Sequence, residues 1–236
     1  MPKAQEKPIP LEVGDSSVPH RIFLIRHGET DWNRDFRYQG ISDIDLNETG
    51  LEQARLTGMR LAGTVPANVY SSPLIRARRT AEIIMKYNSG GVDVELCDHL
   101  REVSFGKWEG LNVSEVKKRY PAALAAWRSS PFSATPEDGE SFGDVKERSR
   151  IAADLIKSNG NPGGVTFVIA HGGMLRALLA ALMDVEDFKL MWMMRFDNCS
   201  ISVLDMWRAH PSLLFLNDTH HIRLGKSEIS RLSFPK

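Results

Sequence analysis

The stretch RIFLIRHGETDWN, residues 21–33, indicates both the fold and the place of its chemistry. Its unbroken apolar run, residues 22–25, is typical of a central strand in a sheet that is covered on both faces. The run ends in Arg26 and His27, two polar residues that are costly to place beside a core. Because ligands bind beyond the carboxyl ends of such strands, we expect a functional site at Arg26 and His27.

A second apolar run repeats this pattern. The stretch VTFVIAHGG, residues 165–173, ends in His171 and two glycines, and a Leu-rich helical segment follows it. Taken alone, either histidine is equally well explained as a structural residue. Two histidines at equivalent strand ends of one sheet could instead face each other across one crevice, and this is the arrangement that we predict.

The remaining pattern alternates strands and helices. Two helices are predicted over residues 47–63, with Thr49 and Glu52 as a capping box, and 72–87, with Ser72 as cap and Pro73 at the first helical position. Helical segments are also predicted over 112–127, broken near Pro121, and over 142–157. Further strands are predicted at 68–72, 92–96, 100–103, 200–206 and 212–218.

These elements predict an α/β fold, a three-layer sandwich with a mostly parallel central sheet and helices on both faces. Residues 1–20, which carry four prolines and no sustained period, are expected to form a flexible N-terminal extension. Residues 21–236 are expected to form a single domain.

Composition narrows the range of partners. The 236 residues include 30 basic and 30 acidic side chains, so no overall field favours nucleic acid or an anionic membrane, and neither is expected as a partner. No stretch reaches the roughly 18 apolar residues of a membrane span. Cys97 and Cys199 lie in apolar contexts and are expected to be buried free thiols, which favours a cytoplasmic protein. The prediction leaves room for a homodimer.

Because basic and acidic residues are balanced over the whole chain, any attraction for an anion must come from a local group of basic side chains. Arg76 falls in the opening turn of its predicted helix, and helical side chains lean toward the N-terminus, so its guanidinium should reach the same sheet edge. Arg26, Arg76, two imidazoles and a helix N-terminus together would suit a phosphate dianion.

Four ordered blocks carry a resemblance to a known family: LIRHGETDWN, SSPLIRARRTAE, LREVSFGKWEG and VIAHGGMLRAL. From about Arg21 to near His220 the chain resembles the histidine phosphatase superfamily, which includes cofactor-dependent phosphoglycerate mutase. The resemblance implies that His27 is the nucleophile, that Glu102 is the proton donor, and that His171 completes the catalytic set. It implies phosphate contacts from Arg26, Asn33, Arg76, His171 and Gly172. Weaker candidates for substrate binding are Thr30, Gln39, Gly40, His99 and Arg79.

The chemistry of these residue types agrees with that implication. A neutral imidazole nitrogen can attack phosphorus, and the N–P bond that forms is labile enough for a second acceptor to break it. Arginines can balance the charge of the transferring group without a metal, so no metal and no cofactor are expected. A carboxyl kept protonated by its surroundings can supply the leaving group's proton and then activate water. Glu29 is the competing carboxylate, although its place after Gly28 equally suits a structural hydrogen bond.

Three functions stay open. Hydrolysis of a small phosphorylated metabolite is favoured, because the region from Phe105 to about Arg148 resembles the compact phosphatase branch that includes alpha-ribazole phosphatase. The mutases carry a longer insertion there with an adjacent arginine pair, where this chain has only Arg128. A non-catalytic phospholigand-binding module is the alternative from another class. Ordinary surface roles are expected for the other histidines, His20, His210, His220 and His221.

Overall fold

The computed structural model describes residues 18–185, 188–207 and 210–224. Its centre is a six-stranded sheet in the order β3-β2-β4-β1-β5-β6. The strands are β1 (His20–Arg26), β2 (Asn68–Ser71), β3 (Val94–Leu96), β4 (Val165–Ala170), β5 (Ile201–Met206) and β6 (Pro211–Asp218). Neighbours from β3 to β1 are parallel, whereas β5 is antiparallel to both β1 and β6. The predicted mostly parallel sheet is confirmed.

Helices cover both faces of this sheet. They are α1 (Asp31–Arg34), α2 (Glu48–Leu61), α3 (Ile75–Met85), α4 (Val113–Arg119), α5 (Pro121–Ser129), α6 (Phe142–Ser158), α7 (Gly172–Leu182) and α8 (His220–Arg223). Alternate residues of β1 point to opposite faces. Phe23 and Ile25 join a core with α2 and α3, whereas Ile22 and Leu24 join a larger core with α4 to α7. The three-layer sandwich is therefore as predicted.

The register of the two central strands brings the histidines together. Arg26 of β1 pairs with Ala170 of β4, so the next residues, His27 and His171, leave the sheet side by side. The His27 amide extends the pairing by donating to the Ala170 carbonyl at 2.9 Å.

Two helix starts differ from the prediction. The N-cap of α2 is Asn47, whose side chain accepts from the Gly50 amide, and not Thr49 with Glu52. Ser72 and Pro73 precede α3, which begins at Ile75. There the Asp43 carboxylate accepts from the Ile75 amide at 2.6 Å, so a residue distant in sequence supplies the cap. A tertiary contact has replaced the local one.

The predicted strand at 100–103 is wrong. A short 3₁₀ turn, Asp98–Leu100, occupies its start, and the chain continues to Phe105 without strand pairing. β3 at Val94–Leu96 is the strand that forms in this region and lies at the edge of the sheet.

Two histidines are buried where surface positions were predicted. His20 begins β1, and its Nε2 lies 2.8 Å from the Thr166 hydroxyl. His221 on α8 is fully buried, with Nε2 3.1 Å from the Thr57 hydroxyl of α2. The sheet thus begins at His20, and residues 1–17 of the predicted extension lie outside the described residues. No helix in the described segments has the length and apolar character needed to cross a membrane.

Candidate active site

His27 has a defined tautomer. Its Nδ1 lies 2.7 Å from the Gly28 carbonyl oxygen, and because a carbonyl only accepts, Nδ1 must carry the hydrogen. The lone pair is then on Nε2. The residue is 2% exposed, and the Asn198 side chain donates to its carbonyl at 3.0 Å. His27 is therefore a fixed imidazole with one nitrogen available as a nucleophile.

His171 faces it from the end of β4. The two ring centroids are 5.1 Å apart, and His171 is the N-cap residue of α7. Its Nε2 lies 2.8 Å from the hydroxyl of Ser72, which also accepts from the Leu74 amide at 3.3 Å. The Ser72 hydrogen can therefore point to Nε2, which leaves the proton of His171 on Nδ1.

Two arginines border the histidines. Arg76 is fully buried and donates to the carbonyls of Gly40 and Ser42, both at 2.7 Å. Arg26 donates to the Phe196 carbonyl at 2.7 Å. Nε of each arginine and Nδ1 of His171 are buried, and none of the three has a hydrogen-bond partner among the described residues. Buried unsatisfied donors are rare, and these three belong to side chains that neighbour His27, so they are candidates to bind an anionic ligand.

The same surroundings keep both histidines neutral. Burial, followed by the charges of Arg76 and Arg26, holds the pKa of His27 well below its usual value. The pKa of His171 is lowered in the same way, by burial first and then by Arg76. Burial lowers the pKa of Arg76 to about 10, which still leaves it cationic at neutral pH. The site thus combines neutral imidazoles with permanent positive charge.

Glu102 meets this group at the N-terminus of α7. Its Oε1 accepts from the amides of Val103 and Met174 at 3.0 Å, and its Oε2 accepts from the Gly173 amide at 3.1 Å. Three N–H donors match the acceptor pattern of an ionised carboxylate. Surroundings that keep the carboxyl protonated, as the sequence analysis expects of a proton donor, are therefore not what these three contacts provide.

The two glycines after His171 have different surroundings. A Cβ added at Gly173 would lie 2.6 Å from Glu102 Oε1, so the carboxylate approaches the helix only because this residue lacks a side chain. A Cβ added at Gly172 would lie 3.6 Å from Arg26 Nε, which puts Gly172 beside the guanidinium.

Asn33 and Thr30 are linked to the nucleophile. They form a capping box at the start of α1, in which the Asn33 Oδ1 accepts from the Thr30 amide at 3.2 Å. The Asn198 amide donates to the same oxygen at 3.2 Å as well as to His27. Because Oδ1 only accepts hydrogen bonds, Nδ2 is the atom of Asn33 that can donate to a phosphoryl oxygen.

The weaker candidates for substrate binding fall into two groups, those that lie in the site and those that lie outside its hydrogen-bond network. Gly40 supports Arg76 through its carbonyl, and Gln39 is buried with an Oε1 that has no partner in the described part of the chain. Within the described part of the chain, the side chains of Arg79 and His99 do not join the hydrogen-bond network of the site. Arg79 forms a surface ion pair with Asp45, and the His99 carbonyl is held by Arg148. The competing carboxylate, Glu29, accepts from Asn47 at 3.0 Å in a structural role.

Sequence reasoning missed three polar residues that contact the site: Ser72, Asn198 and Thr80, whose hydroxyl accepts from the Gly28 amide at 3.1 Å. The pattern around Ser72 indicates only a helix cap, although this serine lies inside the SSPLIRARRTAE block. Thr80 lies inside the same block and has no other signal, and Asn198 carries no local pattern. Among the described residues, no group of three His, Cys, Asp or Glu side chains could hold a metal ion.

Comparison with known proteins agrees with this geometry. Residues 22–219 match the family model described as histidine phosphatase superfamily, branch 1. The chain belongs to this superfamily. It is 34% identical over 203 residues to phosphoserine phosphatase 1 of Hydrogenobacter thermophilus, an alignment that covers 86% of this chain and 94% of the relative.

Two further relatives bear other phosphatase names. Glucosyl-3-phosphoglycerate phosphatase of Mycobacterium tuberculosis is 37% identical over 172 residues, which are 70% of this chain and 76% of the relative. The crystal structure of the alpha-ribazole phosphatase from Shigella flexneri superposes with a TM-score of 0.76 at 28% identity, covering 84% of this chain and 96% of that one. Membership of the superfamily confirms the resemblance that the four sequence blocks indicate.

Proposed function

We propose that the protein is a metal-independent phosphatase that hydrolyses a small phosphorylated metabolite through a phosphohistidine on His27. The observation that supports this most directly is the set of three unpaired donors, Arg26 Nε, Arg76 Nε and His171 Nδ1, around a neutral imidazole. Such a set binds a phosphoryl group and balances its charge during transfer.

In the first half-reaction, the His27 Nε2 lone pair attacks phosphorus, and the bond between phosphorus and the ester oxygen breaks. The leaving alkoxide takes a proton from Glu102. The ring keeps its Nδ1 hydrogen on the Gly28 carbonyl, which stabilises the positive charge that develops on the phosphorylated imidazole.

Glu102 begins as a carboxylate on the α7 amides, so a substrate that enters as the monoanion supplies the proton that Glu102 passes to the leaving oxygen. In the second half-reaction the ionised Glu102 accepts a proton from water, whose oxygen attacks phosphorus. The N–P bond breaks, and its electron pair returns to Nε2. Inorganic phosphate leaves with the proton that Glu102 took from water, and the carboxylate is regenerated for another cycle.

The names of the relatives support small phosphate esters of alcohols as substrates, since they refer to phosphoserine, glucosyl-3-phosphoglycerate and alpha-ribazole. Alcohols are poor leaving groups, which is why a proton donor is needed. Water is the proposed acceptor, because Arg128 stands alone where the mutases carry an arginine pair. Buried free thiols at Cys97 and Cys199 suit the cytoplasm as the compartment.

The proposal is tested with purified protein and a panel of phosphate esters in excess chelator. Phosphate release should be unaffected by chelation, and loss of activity that zinc or magnesium restores would contradict the mechanism. With 3-phosphoglycerate and catalytic bisphosphoglycerate, phosphate release should outpace isomerisation. Efficient isomerisation would favour the mutase, and tight binding without turnover would favour a phospholigand-binding module.

Glu102→Gln tests the proton donor separately. The variant keeps the shape of the side chain and loses the proton, so kcat/KM on alkyl phosphates should fall by roughly 10²–10⁴-fold. This parameter reports phosphoryl transfer to His27 and excludes the later hydrolysis, in which Glu102 also takes part. Aryl phosphates, whose leaving groups need no acid, should lose much less. An equal loss on both substrate classes would remove Glu102 from this role.

A further inference from the structure

The backbone that carries Glu102 is held by one arginine of α6. Arg148 donates through Nη1 to the carbonyls of His99 and Arg101, and through Nη2 to the carbonyl of Glu102 at 3.0 Å. Its side chain is 15% exposed; the bonds to the His99 and Glu102 carbonyls are partly buried, whereas the bond to the Arg101 carbonyl is exposed. One guanidinium therefore fixes three carbonyls over four consecutive residues.

Glu140 completes the arrangement from the other side. Its carboxylate binds Nε and Nη2 of Arg148, each at 3.1 Å, and its Oε2 also accepts from the Ser104 amide at 2.8 Å. The Ser104 carbonyl in turn accepts from the Glu140 amide at 2.8 Å. The Arg148–Glu140 pair thus forms hydrogen bonds with the backbone on both sides of residues 102 and 103.

This segment needs such support because it lacks regular strand pairing. Residues 101–105 form no strand, so their backbone groups have no ladder to bind. The Arg148 side chain on α6 and the Glu140 side chain, which lies just before α6, replace that ladder. Arg148 Nη1 also lies 3.3 Å from the sulfur of Met174, whose amide binds Glu102 Oε1. The same guanidinium therefore touches both the segment that carries Glu102 and the helix end that receives its carboxylate.

We propose that Arg148, with Glu140, is a positioning residue for proton transfer by Glu102. The inference rests on the proposed function, because it concerns the proton donor of that reaction. Neither side chain needs to contact substrate. A general acid works only within hydrogen-bond reach of the leaving oxygen, so loss of the backbone support should impair proton delivery and leave attack by His27 intact.

Arg148→Met removes the donors and keeps a side chain of similar length. The kcat/KM for alkyl phosphates, which reports phosphoryl transfer to His27 and not the later hydrolysis, should fall about 10-fold to 100-fold, up to the loss that a misplacement near 1 Å can cause. The kcat/KM for aryl phosphates and the rate at which an aryl phosphate forms the acid-labile phosphoenzyme should change little. Glu140→Gln, which keeps one acceptor oxygen, should produce a smaller change in the same direction.

Arg148→Lys distinguishes the positioning role of the Arg148 guanidinium from the effect of its positive charge. The cation of Arg148 also contributes to lowering the pKa of His171, and lysine retains that charge without the fork that reaches three carbonyls. The proposal expects Arg148→Lys to behave like Arg148→Met. Full recovery by lysine would overturn it. Arg55→Met serves as the control, because Arg55 forms an exposed pair with Glu52 on α2, and its ratio of alkyl to aryl activity should match the wild type.

The deciding quantity is the ratio of kcat/KM on alkyl phosphate to kcat/KM on aryl phosphate in folded protein. A selective fall in Arg148→Met supports the proposal, whereas an equal fall on both substrates, or none, overturns it. If Arg148→Met does not fold, Glu140→Gln and Arg148→Lys decide by the same ratio. Two other results would contradict the proposed function itself. One is a wild type that forms no phosphoenzyme, and the other is a Glu102→Gln variant that loses the same activity on alkyl and aryl phosphates.

Discussion

Replacing Gly173 with alanine would displace the proposed acid without altering its chemistry. The new Cβ would lie 2.6 Å from Glu102 Oε1 and 2.9 Å from Val103 Cγ2, whereas ordinary contact begins at 3.4 Å. The carboxylate would have to move by about 0.8 Å, the difference between 3.4 and 2.6 Å, which weakens its bonds to the amides of Gly173 and Met174.

The effects on folding and on activity should differ. In a helix, alanine is favoured over glycine by about 0.5–1 kcal/mol, which offsets much of the loss of one or two hydrogen bonds worth about 0.5–1.5 kcal/mol each. The melting temperature should therefore change little. A misplacement near 1 Å can reduce a rate about 100-fold, and this is the expected fall in kcat/KM on alkyl phosphates, which reports phosphoryl transfer to His27.

The assay is steady-state kinetics on alkyl and aryl phosphates, together with thermal unfolding. Gly63→Ala is the matched control, because a Cβ at Gly63 meets nothing within 4 Å. An alkyl phosphate kcat/KM within twofold of wild type in folded Gly173→Ala would refute the reasoning. A loss of equal size on aryl phosphates would refute it as well.

Two further predictions concern the support of the nucleophile and the response to pH. Asn198→Ala removes the bonds to the His27 carbonyl and the Asn33 oxygen, so rapid-quench experiments should show slower phosphorylation of His27 by alkyl and aryl phosphates alike; an unchanged rate would exclude this role. Burial lowers the pKa of His221 from 6.5 to about 4. Between these two pH values, His221 is protonated in the unfolded chain and neutral in the folded protein. Stability should therefore fall as the pH drops from 6.5 to 4, with about 3 kcal/mol from this residue at 1.36 kcal/mol per pKa unit. Thermal unfolding of His221→Gln should show a shallower pH dependence, and a slope equal to that of the wild type would contradict the assignment.

The sequence was sufficient for the centre of the site. Continuous apolar runs identify β1 and β4 as buried parallel strands, and parallel strands end at one edge, which is why the sequence alone predicts that His27 and His171 face each other. Arg76 could be added because a residue in the first turn of a helix leans back toward that edge.

The supporting residues could not be found in this way. Ser72 contacts His171 across 99 positions, Asn198 contacts His27 across 171, and Arg148 reaches Glu102 across 46. No periodicity or spacing encodes such pairs, because they depend on how the layers pack. The strand wrongly predicted at 100–103 also reflects contacts between distant residues, since Arg148 of α6 and Glu140, just before α6, bind backbone that a neighbouring strand would have paired.

The central claim is that His27 carries the phosphoryl group, although the His171 ring lies only 5.1 Å away. The most direct test is to quench turnover of a radiolabelled substrate rapidly and map the acid-labile, base-stable label onto peptides. We expect label on the peptide that contains His27 in the wild type and in His171→Ala, and none on His27→Ala. Label on the peptide that contains His171, or label that persists on His27→Ala, would contradict the account.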